Sequence, residues 1–105
     1  MNELVALAER LISYDTSKPD PIHEAAGFIK GWLEARGIEA RQDWVKELPV
    51  TFAEVGSGER CIVLHGHIDV VPGHVEQFDA RVEGDRLIGR GAYDMKGALL
   101  SLIHI

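Results

Sequence analysis

The stretch that decides the fold reads CIVLHGHIDVVP and spans residues 61–72. Its first four residues are apolar and include β-branched side chains, which is typical of a buried β-strand. Two histidines and an aspartate follow, at His65, His67 and Asp69. In α/β enzymes the ligand-binding and catalytic residues lie at the carboxyl ends of such strands. The pattern therefore predicts an α/β fold with a candidate metal site where this strand ends.

The pair His67 and Asp69 has the chemistry of a metal ligand and its supporting group. An imidazole can bind a cation, and residues two apart lie on the same side of an extended strand, so Asp69 can fix the tautomer of His67. The alternative is a hydrogen-bonded structural histidine. His65 is the weaker ligand candidate. Residues 65–70 superficially fit a metallo-β-lactamase motif, but Val70 stands where that motif needs its last histidine.

The overall composition indicates a folded, acidic protein. The chain has 105 residues, of which 46% are hydrophobic and 27% charged, and its formal net charge is −6. A chain of this length forms one domain at most. The acidic balance argues against a nucleic-acid partner or an anionic membrane surface, because either would need a basic face. No apolar run approaches the roughly 18 residues of a membrane span.

The single cysteine indicates a reducing compartment. Cys61 has no partner for an intrachain disulfide, and its place in the predicted strand suggests a buried, unreactive thiol. The residues that follow Met1 do not have the pattern of a secretory signal peptide. We therefore expect a cytoplasmic location.

Apolar periodicity and turn residues predict the remaining elements. A first amphipathic helix starts at Leu4 and ends between Tyr14 and Lys18, before Pro19. A second begins with Asp20 as its cap and ends at Gly37. Alternating and turn-flanked segments predict further short strands over residues 37–41, 49–55, 80–83 and 86–88, the last two joined by a Gly-Asp turn. A third helix is expected from Asp94 onward.

A second polar cluster, GRGAYDMKG, spans residues 89–97. Its Asp94 follows His67 by 27 residues, a separation that lets ligands from two sheet edges converge on one cation. The alternative for Asp94 is an aspartate that caps the third helix. Lys96 is expected on the surface of that helix or behind the site.

Together the two clusters resemble a known family. Residues 62–72 resemble the first signature of the M20 family of metallopeptidases and deacylases, and residues 89–97 resemble its second signature. The resemblance implies the N-terminal part of a zinc-peptidase-like catalytic domain, in which helices flank a mixed β-sheet. It also implies a cis peptide bond immediately after Asp94.

The resemblance assigns roles to three residues. His67 would bind one zinc ion, Asp94 would bridge two, and Asp69 would act in catalysis by orienting His67. Cobalt or manganese could replace zinc in such a site. The implied reaction is hydrolysis of an amide bond in an N-acyl amino acid or small peptide by a metal-activated water. The parent enzyme would be a homodimer.

The sequence also departs from the family pattern. The general-base glutamate and the remaining ligands of the family follow the second signature by tens of residues, whereas this chain ends 11 residues after Asp94. We therefore expect residues 1–105 to be the N-terminal portion of one catalytic domain, without the family's lid or dimerisation domain, and inactive alone. The alternative is a non-catalytic module that assembles with a partner chain completing the sheet.

Overall fold

The computed structural model describes residues 2–104, which form three α-helices and two β-hairpins. In chain order the elements are α1 (Asn2–Ser13), α2 (Pro19–Glu34), β1 (Ala40–Val45), β2 (Leu48–Ala53), a 3-10 turn (Val75–Phe78), β3 (Arg81–Glu83), β4 (Arg86–Ile88), a π-helical turn (Ala92–Lys96) and α3 (Gly97–Ile103). Across residues 2–104 no helix is long and apolar enough to cross a membrane.

The core is built on the apolar face of α1. Leu7, Leu11 and Ile12 recur at helical spacing and are buried. α1 contacts the 92–96 turn and α3. The buried apolar residues of later parts of the chain are Ala25, Ala26, Leu33, Ala40, Phe78 and Leu99. The first predicted helix is confirmed, and its buried face anchors the segments that carry the polar clusters.

The second helix is also confirmed, but it starts earlier than predicted. Lys18 has an extended backbone and occupies the cap position, and Pro19 is the first helical residue. A proline is tolerated there because the N–H that it lacks would have no partner within the helix. Asp20, predicted as the cap, lies instead in the first turn, where its carboxylate faces the positive end of the helix dipole.

The strands form two antiparallel pairs. β1 pairs with β2 in a register that runs from Ala40 opposite Ala53 to Val45 opposite Leu48. β3 pairs with β4 across the predicted Gly-Asp turn, in which Gly84 adopts a left-handed φ of 62°. Helices and strands confirm the α/β class. Within the described residues, the two hairpins are separate two-stranded sheets and no mixed sheet is present.

The predicted strand at residues 61–64 is the main difference from expectation. Ile62 and Val63 are 86% and 84% exposed, and Cys61 is exposed as well, so neither the buried strand nor the buried thiol is found. A strand needs a hydrogen-bonded neighbour, and no segment among residues 2–104 pairs with this one. The apolar pattern indicates that the segment tends to be buried, but it does not specify which strand would pair with it.

The third helix begins later than predicted and packs against the first polar cluster. Asp94 has non-helical backbone angles, so α3 starts only at Gly97. A Cβ atom at Gly66 would lie 2.6 Å from Leu99 Cδ2 and 3.1 Å from Leu102 Cδ1. The absence of a side chain at Gly66 therefore lets α3 approach the chain immediately before His67.

Candidate functional site

The two polar clusters meet in one open cleft of about 570 Å³. His67 and Asp69 line it from the first cluster, and Asp94 lines it from the second. Arg90 and Gln77 form part of its wall. The structure therefore brings together the three residues that the sequence singled out.

The imidazole of His67 lies between two carboxylates. Its Nδ1 is 3.1 Å from the backbone oxygen of Asp69 and 3.3 Å from Asp69 Oδ1, and its Nε2 is 3.3 Å from Asp94 Oδ1. With the proton on Nδ1, the lone pair of Nε2 points toward Asp94. Two such electron-rich atoms repel each other unless a proton or a cation lies between them.

This separation suits a bound zinc ion. Ligand distances of 2.0 to 2.2 Å around a tetrahedral zinc place a nitrogen and an oxygen ligand about 3.4 Å apart. The observed distance from His67 Nε2 to Asp94 Oδ1 is 3.3 Å. Both side chains are accessible to solvent. Residues 2–104 contain no group of three or more His, Cys, Asp or Glu side chains placed to hold an ion, so only part of a coordination shell is present.

His65 stands apart from this arrangement. It is exposed, and within the described part of the chain its side chain forms no hydrogen bond or ion pair. The peptide bond between Asp94 and Met95 is cis, as the family resemblance implied.

A polar network holds the wall of the cleft. The backbone N–H of Arg90 donates to the backbone oxygen of Gln77 at 2.8 Å, and its guanidinium Nη2 donates to Gln77 Oε1 at 2.7 Å. The same amide oxygen accepts a hydrogen bond from the backbone N–H of His74 at 2.9 Å. Gln77 thus connects the 3-10 turn before β3 to Arg90, at the start of the second polar cluster.

Sequence comparison identifies the family. Residues 63–105, which include both polar clusters, match the sequence model of the peptidase family M20/M25/M40. The chain belongs to the M20 family. Members of this family are hydrolases that are generally metal-dependent.

Curated relatives of this M20 chain agree with the assignment. It is 45% identical over 80 residues to a protein of Pyrococcus abyssi named as a LysW-lysine/LysW-ornithine hydrolase, covering 76% of this chain and 22% of the relative. It is 35% identical over 104 residues to the succinyl-diaminopimelate desuccinylase of Beijerinckia indica, covering 89% and 27%. The chain spans about a quarter of the length of the curated relatives it matches.

Two buried polar residues of the M20 chain were not recognised in the sequence. Thr16 is fully buried, its hydroxyl donates to the backbone oxygen of Ile68, and its own backbone oxygen accepts a hydrogen bond from Val70 N–H at 3.2 Å. It lies in a short polar segment between two helices that has the composition of an ordinary turn. Nothing local in the sequence distinguishes it.

The second of these buried polar residues is Lys96. It was expected on the helix surface or behind the site, and the structure excludes the surface position, because Lys96 is only 1% exposed and its Nζ donates to the backbone oxygen of Tyr14 at 2.9 Å. Burial lowers the pKa of Lys96 to about 8, and the charge of Asp15 acts in the opposite direction. Its place at the end of the turn before α3, with a glycine after it, gave no sign that it is buried.

Proposed function

We propose that this chain forms one side of the active site of a metal-dependent hydrolase that cleaves amide bonds in N-acyl amino acids or small peptides. The observation that carries the proposal is the placement of His67 between Asp69 and Asp94, with Nε2 at 3.3 Å from Asp94 Oδ1. The names of the relatives, a LysW-lysine hydrolase and desuccinylases, support a reaction on a small acylated amine. The open cleft of about 570 Å³ is of the size that binds small molecules.

The three residues have distinct roles in this proposal. His67 would hold one metal ion, and Asp94 would be the ligand that two ions share. Asp69 acts in catalysis through His67, because its acceptor oxygens hold the proton on Nδ1 and make Nε2 a better donor to a cation. These residues would hold zinc, with cobalt or manganese as replacements, and the bound metal would polarise the amide carbonyl and lower the pKa of the attacking water.

The same proposal assigns the chain to the N-terminal portion of a single catalytic domain. The chain spans about a quarter of its relatives' length and supplies two metal ligands, so other residues of the enzyme complete the shell and provide the general base. The 105 residues alone are then inactive and bind metal weakly. The homodimeric parent enzyme and the cytoplasmic location remain predictions from the resemblance and the single cysteine.

A titration of the purified chain with Zn²⁺ and Co²⁺ tests the metal site. We expect His67→Ala and Asp94→Asn each to weaken binding by more than about tenfold, since each removes one of two ligands. His65→Ala is the matched control, because it removes an exposed imidazole two residues from the site. Binding that is lost in the control, or kept in both site variants, would contradict the proposal.

Activity provides the second arm of this test. The chain alone should not hydrolyse N-acetyl or N-succinyl amino acids with either metal present. Turnover that co-purifies with the chain and disappears in His67→Ala would show that these residues suffice, and the assignment to a partial site would then be wrong.

An assembly module is the second candidate function, and the exposed apolar segment favours it. Ile62 and Val63 are almost fully exposed although their sequence is typical of a buried strand. A partner strand on this segment would satisfy its backbone groups and cover its side chains. This candidate predicts a defined oligomer in light scattering after size exclusion. A monomer would exclude assembly of the chain with itself.

A further inference from the structure

One loop contacts both segments that carry the candidate metal site. The first segment is residues 67–70, and the second is residues 91–96. Residues 14–17 connect α1 to α2, and we refer to them as the 14–17 loop. Thr16 in this loop is hydrogen-bonded to the chain on both sides of Asp69, and the backbone oxygen of Tyr14 accepts a hydrogen bond from Lys96. The two segments are distant from the loop in sequence, by 52 and 82 residues.

The contact with the first segment fixes the backbone around Asp69. The hydroxyl of Thr16 donates to the backbone oxygen of Ile68, and the backbone oxygen of Thr16 accepts from Val70 N–H. Thr16 is completely buried, so water cannot replace these hydrogen bonds when they are broken. Asp69, which orients His67, is therefore held from the residue before it and the residue after it.

The contact with the second segment fixes the turn around Asp94. The Nζ of Lys96 donates to the backbone oxygen of Tyr14 at 2.9 Å, and its backbone N–H donates to the oxygen of Gly91 at 2.9 Å. The second bond closes the turn that contains Asp94, and the first attaches this turn to the 14–17 loop. Lys96 is almost fully buried, which limits alternative positions of its side chain.

No backbone hydrogen bond among the described residues joins residues 67–69 directly to residues 92–96. The loop is therefore an anchor that the two segments share. We propose that Thr16 and Lys96 are positioning residues that set the metal affinity of the site. Thr16 acts on His67 through Asp69, and Lys96 acts on the turn that contains Asp94. This inference rests on the proposed function, because it requires that His67 and Asp94 bind metal.

The first test removes the hydroxyl of Thr16 with little change in volume. Thr16→Val should weaken Co²⁺ and Zn²⁺ binding by about tenfold, the lower end of the loss seen when groups behind a metal ligand are removed. Ser17→Ala is the matched control, since within residues 2–104 the neighbouring hydroxyl donates only to Asp15 Oδ1. The control should bind as the unmutated chain does, and equal losses in the two variants would overturn the inference.

A double-mutant cycle separates positioning from a general loss of structure. In an Asp69→Asn background, Thr16→Val should weaken Co²⁺ binding by less than about twofold, because its effect passes through Asp69. The change that Thr16→Val causes in the urea midpoint of unfolding should be the same in both backgrounds. An undiminished tenfold loss of affinity in the Asp69→Asn chain would overturn the inference.

Lys96→Met provides an independent variant and decides the question if Thr16→Val does not fold. Methionine matches the lysine in length and removes only the charge and its donors. It should also weaken metal binding by about tenfold, whereas Lys30→Met, which removes a charge paired with Glu34 on the helix surface, should not. Unchanged affinity in Lys96→Met overturns the inference and leaves the proposed function intact. An unmutated chain that binds no metal contradicts the proposed function itself and the inference with it.

Discussion

The buried ammonium group of Lys96 predicts a specific dependence of stability on pH. The side chain is 1% exposed, and the hydrogen bond from Nζ to the oxygen of Tyr14 is its only one among the described residues. Burial lowers the pKa of Lys96 from the usual 10.5 to about 8, because the charged form loses its hydration. Lys96→Met removes the titrating group and keeps most of the buried volume.

Proton uptake on unfolding decides whether the free energy of unfolding rises or falls with pH. Between pH 8 and 10.5 the unfolded chain binds the proton and the folded chain has released it. The free energy of unfolding therefore rises with pH across this window, by about 3 kcal/mol at most, and the penalty for the buried charge is fully present below pH 8. Lys96→Met should lack this rise.

Urea unfolding of the metal-free chain, followed by circular dichroism at several pH values, measures the effect. The difference in unfolding free energy between the unmutated chain and Lys96→Met should increase by about 3 kcal/mol in favour of the unmutated chain as the pH is raised through the window. Lys30→Met should follow the unmutated chain, because this variant retains the buried Lys96. Parallel curves for Lys96→Met and the unmutated chain would refute the reasoning.

Four substitutions, in two pairs, test the packing by urea unfolding. Gly89→Ala places a Cβ 2.7 Å from Ile12 Cγ2 and should cost about 1–3 kcal/mol, whereas Gly27→Ala, with no heavy atom within 4 Å in mid-helix, should stabilise by about 0.5–1 kcal/mol. Equal effects at the two glycines would contradict the packing of Ile12. Leu11→Ala in the core should cost about 2–5 kcal/mol, far more than Leu4→Ala on the exposed side of α1. A loss below about 1 kcal/mol would contradict the burial of Leu11.

Features that depend on neighbouring residues in sequence could be predicted. The apolar spacing of α1 and the Gly-Asp turn of the second hairpin are local signals, and both elements are confirmed. The start of α2 was misplaced by two residues because two prolines compete for its first turn. The polar clusters were recognisable because each combines ligand-type side chains with glycine residues that break an apolar sequence pattern.

Features that depend on distant residues could not be predicted. The strand expected at residues 61–64 requires a neighbour, and an apolar pattern does not specify one. Thr16 and Lys96 owe their burial to contacts across 52 and 82 residues, and their sequence surroundings are typical of a turn and a helix surface. Local patterns therefore indicated the candidate site residues, but not the buried residues that hydrogen-bond to the segments carrying them.

The most direct test of the metal site is the ¹⁵N NMR signal of the histidine side chains during titration with Zn²⁺. The chain has five histidines, and each imidazole nitrogen can be followed separately. If His67 binds metal through Nε2 while Asp69 holds the proton on Nδ1, the Nε2 signal of His67 shifts strongly and Nδ1 keeps its proton. The other four histidines should not respond. A shift at His65 with no change at His67, or a response at His67 Nδ1 in place of Nε2, would contradict the account.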